Sequence, residues 1–141
     1  MDSSSMIGWA GLVLSVVLAI VTVQAFRFNR REREAALCLE LWGLYRNRSW
    51  QEVRADLAVG QPRLDEDQWR KDFDDMVSFL NVLGRMVDAG VLRRATISSM
   101  FYSLPSLWND AEPAISTCRV TTPTYGVDFE KLQKSLRRAS G

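Results

Sequence analysis

Six acidic side chains crowd into residues 65–75 and form the densest set of candidate metal ligands in the chain: Asp65, Glu66, Asp67, Asp72, Asp74 and Asp75. A Mg²⁺ or Ca²⁺ ion requires several oxygen ligands within about 2–2.6 Å of one point. On a helix, Asp72 and Asp75 share a face at i and i+3, whereas Asp74 points elsewhere. Acidic residues are also favoured near the positive N-terminal end of a helix, so we interpret the group as a solvated helix face.

Two further polar residues, Asn81 and Asp88, lie among apolar neighbours. A polar group buried in such surroundings needs a hydrogen-bond partner. We expect Asp88 to pair with Arg93 or Arg94 across the turn that follows, and Asn81 to bond to a backbone group. Both residues are also candidate binding residues. No positioned nucleophile and base accompany them, so we predict no catalytic residues here.

The chain contains no histidine. This removes the commonest general base and the commonest metal ligand, and it excludes imidazole-based catalytic triads. The two cysteines, Cys38 and Cys118, have no spacing that indicates a disulfide or a zinc site. We expect both to be buried, reduced, small apolar residues, and we predict no metal and no cofactor.

An apolar run, "MIGWAGLVLSVVLAIVTVQAF", occupies residues 6–26. As a helix it reaches roughly 31 Å, which is close to the thickness of the hydrocarbon core of a bilayer. A core helix of a soluble domain would carry a polar stripe, and this run has none. The run therefore predicts a transmembrane helix.

The residues that flank the run predict its orientation. No lysine or arginine precedes it, whereas four arginines follow within eight residues: Arg27, Arg30, Arg31 and Arg33. Because basic residues are retained on the cytoplasmic side, we expect the N-terminus outside and residues 27–141 in the cytoplasm. The same arginines are candidate contacts for anionic lipid, and we predict no nucleic-acid binding.

A cleaved signal peptide is the rival interpretation, since "VQA" at residues 23–25 resembles a cleavage site. The leading "MDSSS" lacks the basic residues of a signal peptide, and the apolar run is longer than the usual 7–15 residues. These features favour a permanent anchor. Within it, Gly11, Ser15 and Ala19 recur every four residues, a pattern that favours close packing against another membrane helix, including that of a second copy.

The remaining sequence is compatible with helices throughout. Residues 27–48 continue the first helix, "SWQE" at residues 49–52 predicts a capping box, and Gly60 ends that second helix near Val59. Apolar residues recur every three or four positions between a cap at Asp65 and a stop at Gly90, which predicts the core helix; they are Trp69, Phe73, Met76, Leu80, Leu83 and Val87.

Further helices are predicted towards the C-terminus. One begins near Thr96 and is kinked or restarted at Pro105, residues 119–126 form a loop, and a last helix begins at a cap, Asp128. No long stretch alternates with period two, so we predict an all-α fold with a bundle of about four to five helices after the membrane helix. The expected divisions are residues 1–5 outside, 6–26 in the membrane, 27–48 as a juxtamembrane helix and 49–141 as one cytoplasmic domain.

The order of these elements and the segment "SFLNVLGRMVDAGVLRRATISSMFYSLPSLW" at residues 78–108 resemble the bacterial domain-of-unknown-function family 4760. The residues that carry the resemblance are Leu80, Asn81, Gly90, Val91, Leu92 and Trp108. The resemblance implies a membrane-tethered helical domain and implies no catalytic activity.

We therefore expect an accessory or scaffold subunit that binds a partner protein at the cytoplasmic face of the inner membrane, and not an enzyme. Its expected contacts are the lipid bilayer and either a protein partner or further copies of itself. The alternative is a membrane-tethered effector or enzyme that holds a divalent cation with Asp72, Asp75 and Asp88.

Overall fold

The computed structural model describes residues 3–139, with the side chains of residue 11 and residues 13–139. Over this range the fold is all-α, as predicted, and no strand is present. Six helices follow one another along the chain: α1 Ser3–Tyr45, α2 Arg48–Ala58, α3 Asp67–Asp88, α4 Arg94–Met100, α5 Leu104–Arg119 and α6 Val127–Ala139. Contacts divide the chain into two compact units, Met1–Leu37 and Cys38–Gly141.

The first unit consists of the greater part of α1. The helix runs without interruption to Tyr45, and its segment Val13–Tyr45 is long and apolar enough to cross a membrane, with a mean hydropathy of 1.4 in its most apolar 18-residue window. No residue of its most apolar window is buried. Two hydroxyl groups in the apolar stretch bond within the helix, from Ser15 Oγ to the Gly11 carbonyl at 2.9 Å and from Thr22 Oγ1 to the Leu18 carbonyl at 2.8 Å.

The second unit is built around α3, which packs against α2 and α6. The predicted apolar stripe of α3 is confirmed, since Phe73, Met76 and Leu80 are fully buried. Helix α5 packs against α2 and α6, and the last turns of α1 add Cys38, Leu41 and Tyr45 to the core. The predicted helix ends at Val59 and before Gly90 are confirmed, and both Gly60 and Gly90 have positive φ, as such helix ends require.

The helix starts differ from the predictions. Asn47, and not Ser49, caps α2, since its Oδ1 accepts a hydrogen bond from the Trp50 amide at 2.9 Å. Helix α3 begins after Glu66 without a side-chain cap, so the cap predicted at Asp65 is wrong. At the next break, α4 ends at Met100, and the chain restarts as α5 with Pro105 in the first turn, where its missing N–H costs nothing.

Candidate functional site

The N-terminal end of α6 is held by the middle of α3. The first amides of a helix have no partners within the helix, and they need acceptors from elsewhere. The side chain of Asn81 supplies one, since its Oδ1 accepts a hydrogen bond from the Phe129 amide at 2.9 Å. This confirms that Asn81 bonds to a backbone group. It also explains why an amide side chain is retained in the apolar face of the core helix.

Gly84 allows α3 and α6 to approach closely at the same place. A Cβ atom built on Gly84 would lie 2.6 Å from the carbonyl oxygen of Asp128, a distance that real Cβ atoms do not adopt. One residue further along α3, Arg85 Nε donates to Asp128 Oδ2 at 2.9 Å. Asp128 therefore lies in the first turn of α6 and pairs with α3, and its prediction as the helix cap is wrong.

A solvent-open cleft of about 60 Å³ lies beside this junction, between α3, α4 and α6. Its walls are formed by Gly84, Val87, Asp88, Arg94, Asp128, Lys131, Leu132 and Ser135. Asp88 is exposed, and it forms no ion pair or hydrogen bond with any residue of the described part of the chain, so the expected pair with Arg93 or Arg94 is not found. The turn between α3 and α4 is closed instead by backbone bonds, including one from the Val91 amide to the Met86 carbonyl at 2.9 Å.

Another polar cluster fastens the loop between α5 and α6 to α3. Tyr125 Oη donates to Asp74 Oδ1 at 2.5 Å, and Arg70 Nε donates to the same oxygen at 3.2 Å. Burial, followed by the bond to Asp74, raises the pKa of Tyr125 well above its usual range. Burial also raises the pKa of the neighbouring Cys118 thiol. The thiol is therefore less reactive than an exposed one. The role of the cluster is structural, since it holds the loop between α5 and α6 against α3.

A protein-family model matches most of this chain. The model for the domain of unknown function DUF4760 matches residues 10–136. The chain belongs to this family. No curated protein and no solved structure matches the chain.

The residues by which the sequence resembles DUF4760 have structural positions in this member. Leu80, Leu92 and Trp108 are buried in the core, with 0%, 1% and 5% of their surface exposed. Gly90 supplies the positive φ that ends α3, and Asn81 holds α6. The motif therefore describes how α3 turns into α4 and where α6 is attached.

The predicted acidic group of this DUF4760 chain does not converge on one point. No group of three or more Cys, Asp or Glu side chains that could hold a metal ion is found among the described residues. Asp72 accepts a hydrogen bond from Gln68 Nε2 at 3.1 Å, and Asp75 is exposed. Asp72 and Asp88 are separated along α3 by roughly 24 Å at 1.5 Å per residue, so a single cation cannot contact both.

Aromatic residues collect where α1 ends. Arg54 lies 4.1 Å from the ring centroid of Tyr45 and donates through Nη1 to the Tyr45 carbonyl at 2.8 Å. Phe101 meets the same ring edge-on with centroids 5.3 Å apart. Trp50 is half-buried and packs against Phe79 at 5.2 Å. The cluster ties α1, α2, α3 and the break before α5 together, and sequence reasoning missed Arg54 because its partners are set by the tertiary fold.

The residues of α1 that were predicted to pack against another membrane helix or to set the topology are all exposed. Gly11, Ser15 and Ala19 are exposed, and a Cβ on Gly11 would meet nothing within 4 Å. The four arginines predicted to set the topology are exposed as well: Arg27, Arg30, Arg31 and Arg33. Their spacing on one helix is as predicted, and their roles in helix packing and topology stay predictions.

Proposed function

We propose that this protein is a single-pass protein of the bacterial inner membrane, anchored by residues 6–26, with its N-terminus outside and residues 27–141 in the cytoplasm. In this proposal the helical unit acts as an accessory or scaffold subunit that binds a partner protein at the membrane. The alternative, a divalent-metal enzyme using Asp72, Asp75 and Asp88, has no comparable support, because these residues are spread along α3.

The observation that carries the proposal is the bare apolar surface of α1. The exposed fraction is 56% for Val13, 60% for Leu14 and 57% for Leu18, and the large apolar side chains that follow are similarly exposed. Full removal of such a side chain from water gains roughly 1.5–3 kcal/mol. The summed gain favours transfer of this stretch into lipid. The internal hydrogen bonds of Ser15 and Thr22 support the same conclusion, since they leave these hydroxyls satisfied without water.

Two features support a binding role for the second unit. The chain lacks histidine, so acid–base chemistry and metal binding would have to rest on less common residues. Several large apolar side chains are also exposed on this unit, the most exposed being Tyr102 at 79% and Val120 at 86%. Aromatic and aliphatic side chains that are exposed in a free protein commonly form the buried core of a protein–protein interface.

Cysteine labelling tests the topology. The native cysteines are only 1% and 4% exposed, so they give little background. A membrane-impermeant maleimide should label Ser5→Cys in intact spheroplasts, and it should label Thr121→Cys, in the exposed loop before α6, only after the membrane is opened. The reverse pattern would refute the orientation. An intact mass lacking the first 25 residues would instead identify a cleaved signal peptide.

Extraction of the full-length protein from its native membrane in mild detergent tests the partner. The mass of the intact complex and the identity of every chain in it are then determined. We expect a second protein in fixed ratio with this chain. A protein that is found alone at several mild detergent conditions, as a monomer or as a homo-oligomer, would argue against the accessory role.

A further inference from the structure

The cleft between α3, α4 and α6 gathers polar side chains that have no partner. Four of the residues that line it carry a carboxylate, a guanidinium, an ammonium or a hydroxyl group, namely Asp88, Arg94, Lys131 and Ser135. None of the four makes a hydrogen bond or an ion pair within the described part of the chain. The fifth polar residue, Asp128, is already neutralised by Arg85 at 2.9 Å.

Opposite charges in one cleft normally close into ion pairs when they can reach one another. Here the Asp88 carboxylate forms no ion pair with Arg94 or Lys131 and lies more than 4.0 Å from both cationic groups. Residues of both signs therefore line one cleft without neutralising one another. A few convergent polar groups in a concave site are the usual means by which a small ligand is oriented.

The size of the cleft limits what fills it. A volume of about 60 Å³ corresponds to about two waters at the roughly 30 Å³ that each occupies in the liquid. A group of about five non-hydrogen atoms has a similar size, and it must present a negative and a positive end to satisfy both walls. An ammonium and a carboxylate on one carbon meet both requirements.

We propose that this cleft binds the zwitterionic head of a free α-amino acid. The ligand carboxylate lies against Arg94, Lys131 and the Ser135 hydroxyl, its ammonium group lies against Asp88, and its side chain extends through the open mouth. The chain is then a receptor for a small molecule. This site goes beyond the proposed function and does not depend on the membrane attachment.

Calorimetric titration of the full-length protein in mild detergent tests the site with three probes. Glycine carries both charges, N-acetylglycine lacks the ammonium group, and glycinamide lacks the carboxylate. We expect glycine to bind and each of the other two probes to bind at least tenfold more weakly, because a charge-assisted hydrogen bond is lost in each case. No binding of glycine at about 10 mM, or equal binding of N-acetylglycine, would overturn the proposal.

Paired variants locate the binding. Asp88→Asn and Lys131→Gln should each weaken glycine binding at least tenfold. Asp110→Asn and Lys71→Gln make the same chemical changes at exposed positions outside the cleft and should leave glycine binding within twofold of the wild type. All four changes are on exposed side chains, and an unchanged melting temperature verifies folding. Equal effects of the cleft and control variants would also overturn the proposal.

Discussion

The crossing of α3 and α6 at Gly84 can be tested by one methyl group. In Gly84→Ala the new Cβ would lie 2.6 Å from the carbonyl oxygen of Asp128, about 0.8 Å inside the 3.4 Å at which ordinary contact begins. That oxygen belongs to the backbone, so it cannot rotate away. Helix α6 would have to shift, although the bonds of Asn81 and Arg85 fasten it at this place.

The expected loss of stability has two parts. Overpacking a core typically costs about 1–3 kcal/mol. Alanine is favoured over glycine within a helix by about 1 kcal/mol, which offsets part of that cost. We therefore expect Gly84→Ala to lower the free energy of unfolding by about 1–2 kcal/mol. For a domain of this size, each kcal/mol corresponds to a fall in melting temperature of about 4–8 °C.

Gly43 offers a matched control. It lies within α1, it is exposed, and a Cβ built on it meets nothing within 4 Å. Gly43→Ala should therefore raise stability by about 0.5–1 kcal/mol from helix propensity alone. Thermal unfolding of the full chain in mild detergent, followed by tryptophan fluorescence, should give shifts of opposite sign. A Gly84→Ala protein as stable as Gly43→Ala would refute the close crossing.

Substitutions at three further positions test the polar contacts of the second unit, each by denaturant unfolding. Asn81→Ala should cost about 1–2 kcal/mol, because the Phe129 amide loses its acceptor, and Asn81→Asp, which keeps an oxygen there, should recover most of it. The raised pKa of Tyr125 means that folding favours the protonated phenol, so wild-type stability should fall as the pH rises above about 10, and Tyr125→Phe should weaken that fall. Hydrogen bonds, first from Lys134 and then from Arg119, lower the pKa of Glu130, so its contribution to the free energy of unfolding should be present above about pH 4.5 and lost at lower pH. Glu130→Gln should reduce this acid dependence of stability. An unchanged acid dependence would refute the prediction.

The parts of the fold that depend on local pattern are predictable from the sequence. The stripe from Trp69 to Val87 identifies α3, because helical periodicity depends only on which residues follow one another. Gly60, Gly90 and Pro105 mark their helix boundaries for the same reason, since each has a backbone preference that neighbours do not change.

The parts that depend on tertiary contacts are not predictable in this way. Asp128 has the sequence context of a helix cap, yet its carboxylate pairs with Arg85, which lies 43 residues earlier. From the sequence, Gly84 is only a residue that slightly destabilises a helix. Its importance for the close approach of α3 and α6 follows from the position of α6. The contact of Arg54 with the Tyr45 ring could not be predicted either, because no pattern in one sequence indicates which face of α2 meets the end of α1.

The contact of α6 with α3 and the proposed binding of glycine involve adjacent turns of α3. A change that moves α6 should therefore affect glycine binding, whereas a change in the cleft need not affect stability. Asn81, Gly84 and Arg85 all contact the first turn of α6; Gly84 also lines the cleft, and Asp88 lines it one turn further along α3. Because α6 also carries Lys131 and Ser135, a displaced α6 moves one wall of the cleft away from the other. Gly84→Ala should therefore reduce both stability and glycine binding, while Asp88→Asn should reduce binding alone. A Gly84→Ala protein that is destabilised but binds glycine normally would separate the cleft from the crossing, and the junction would then have no part in forming the site.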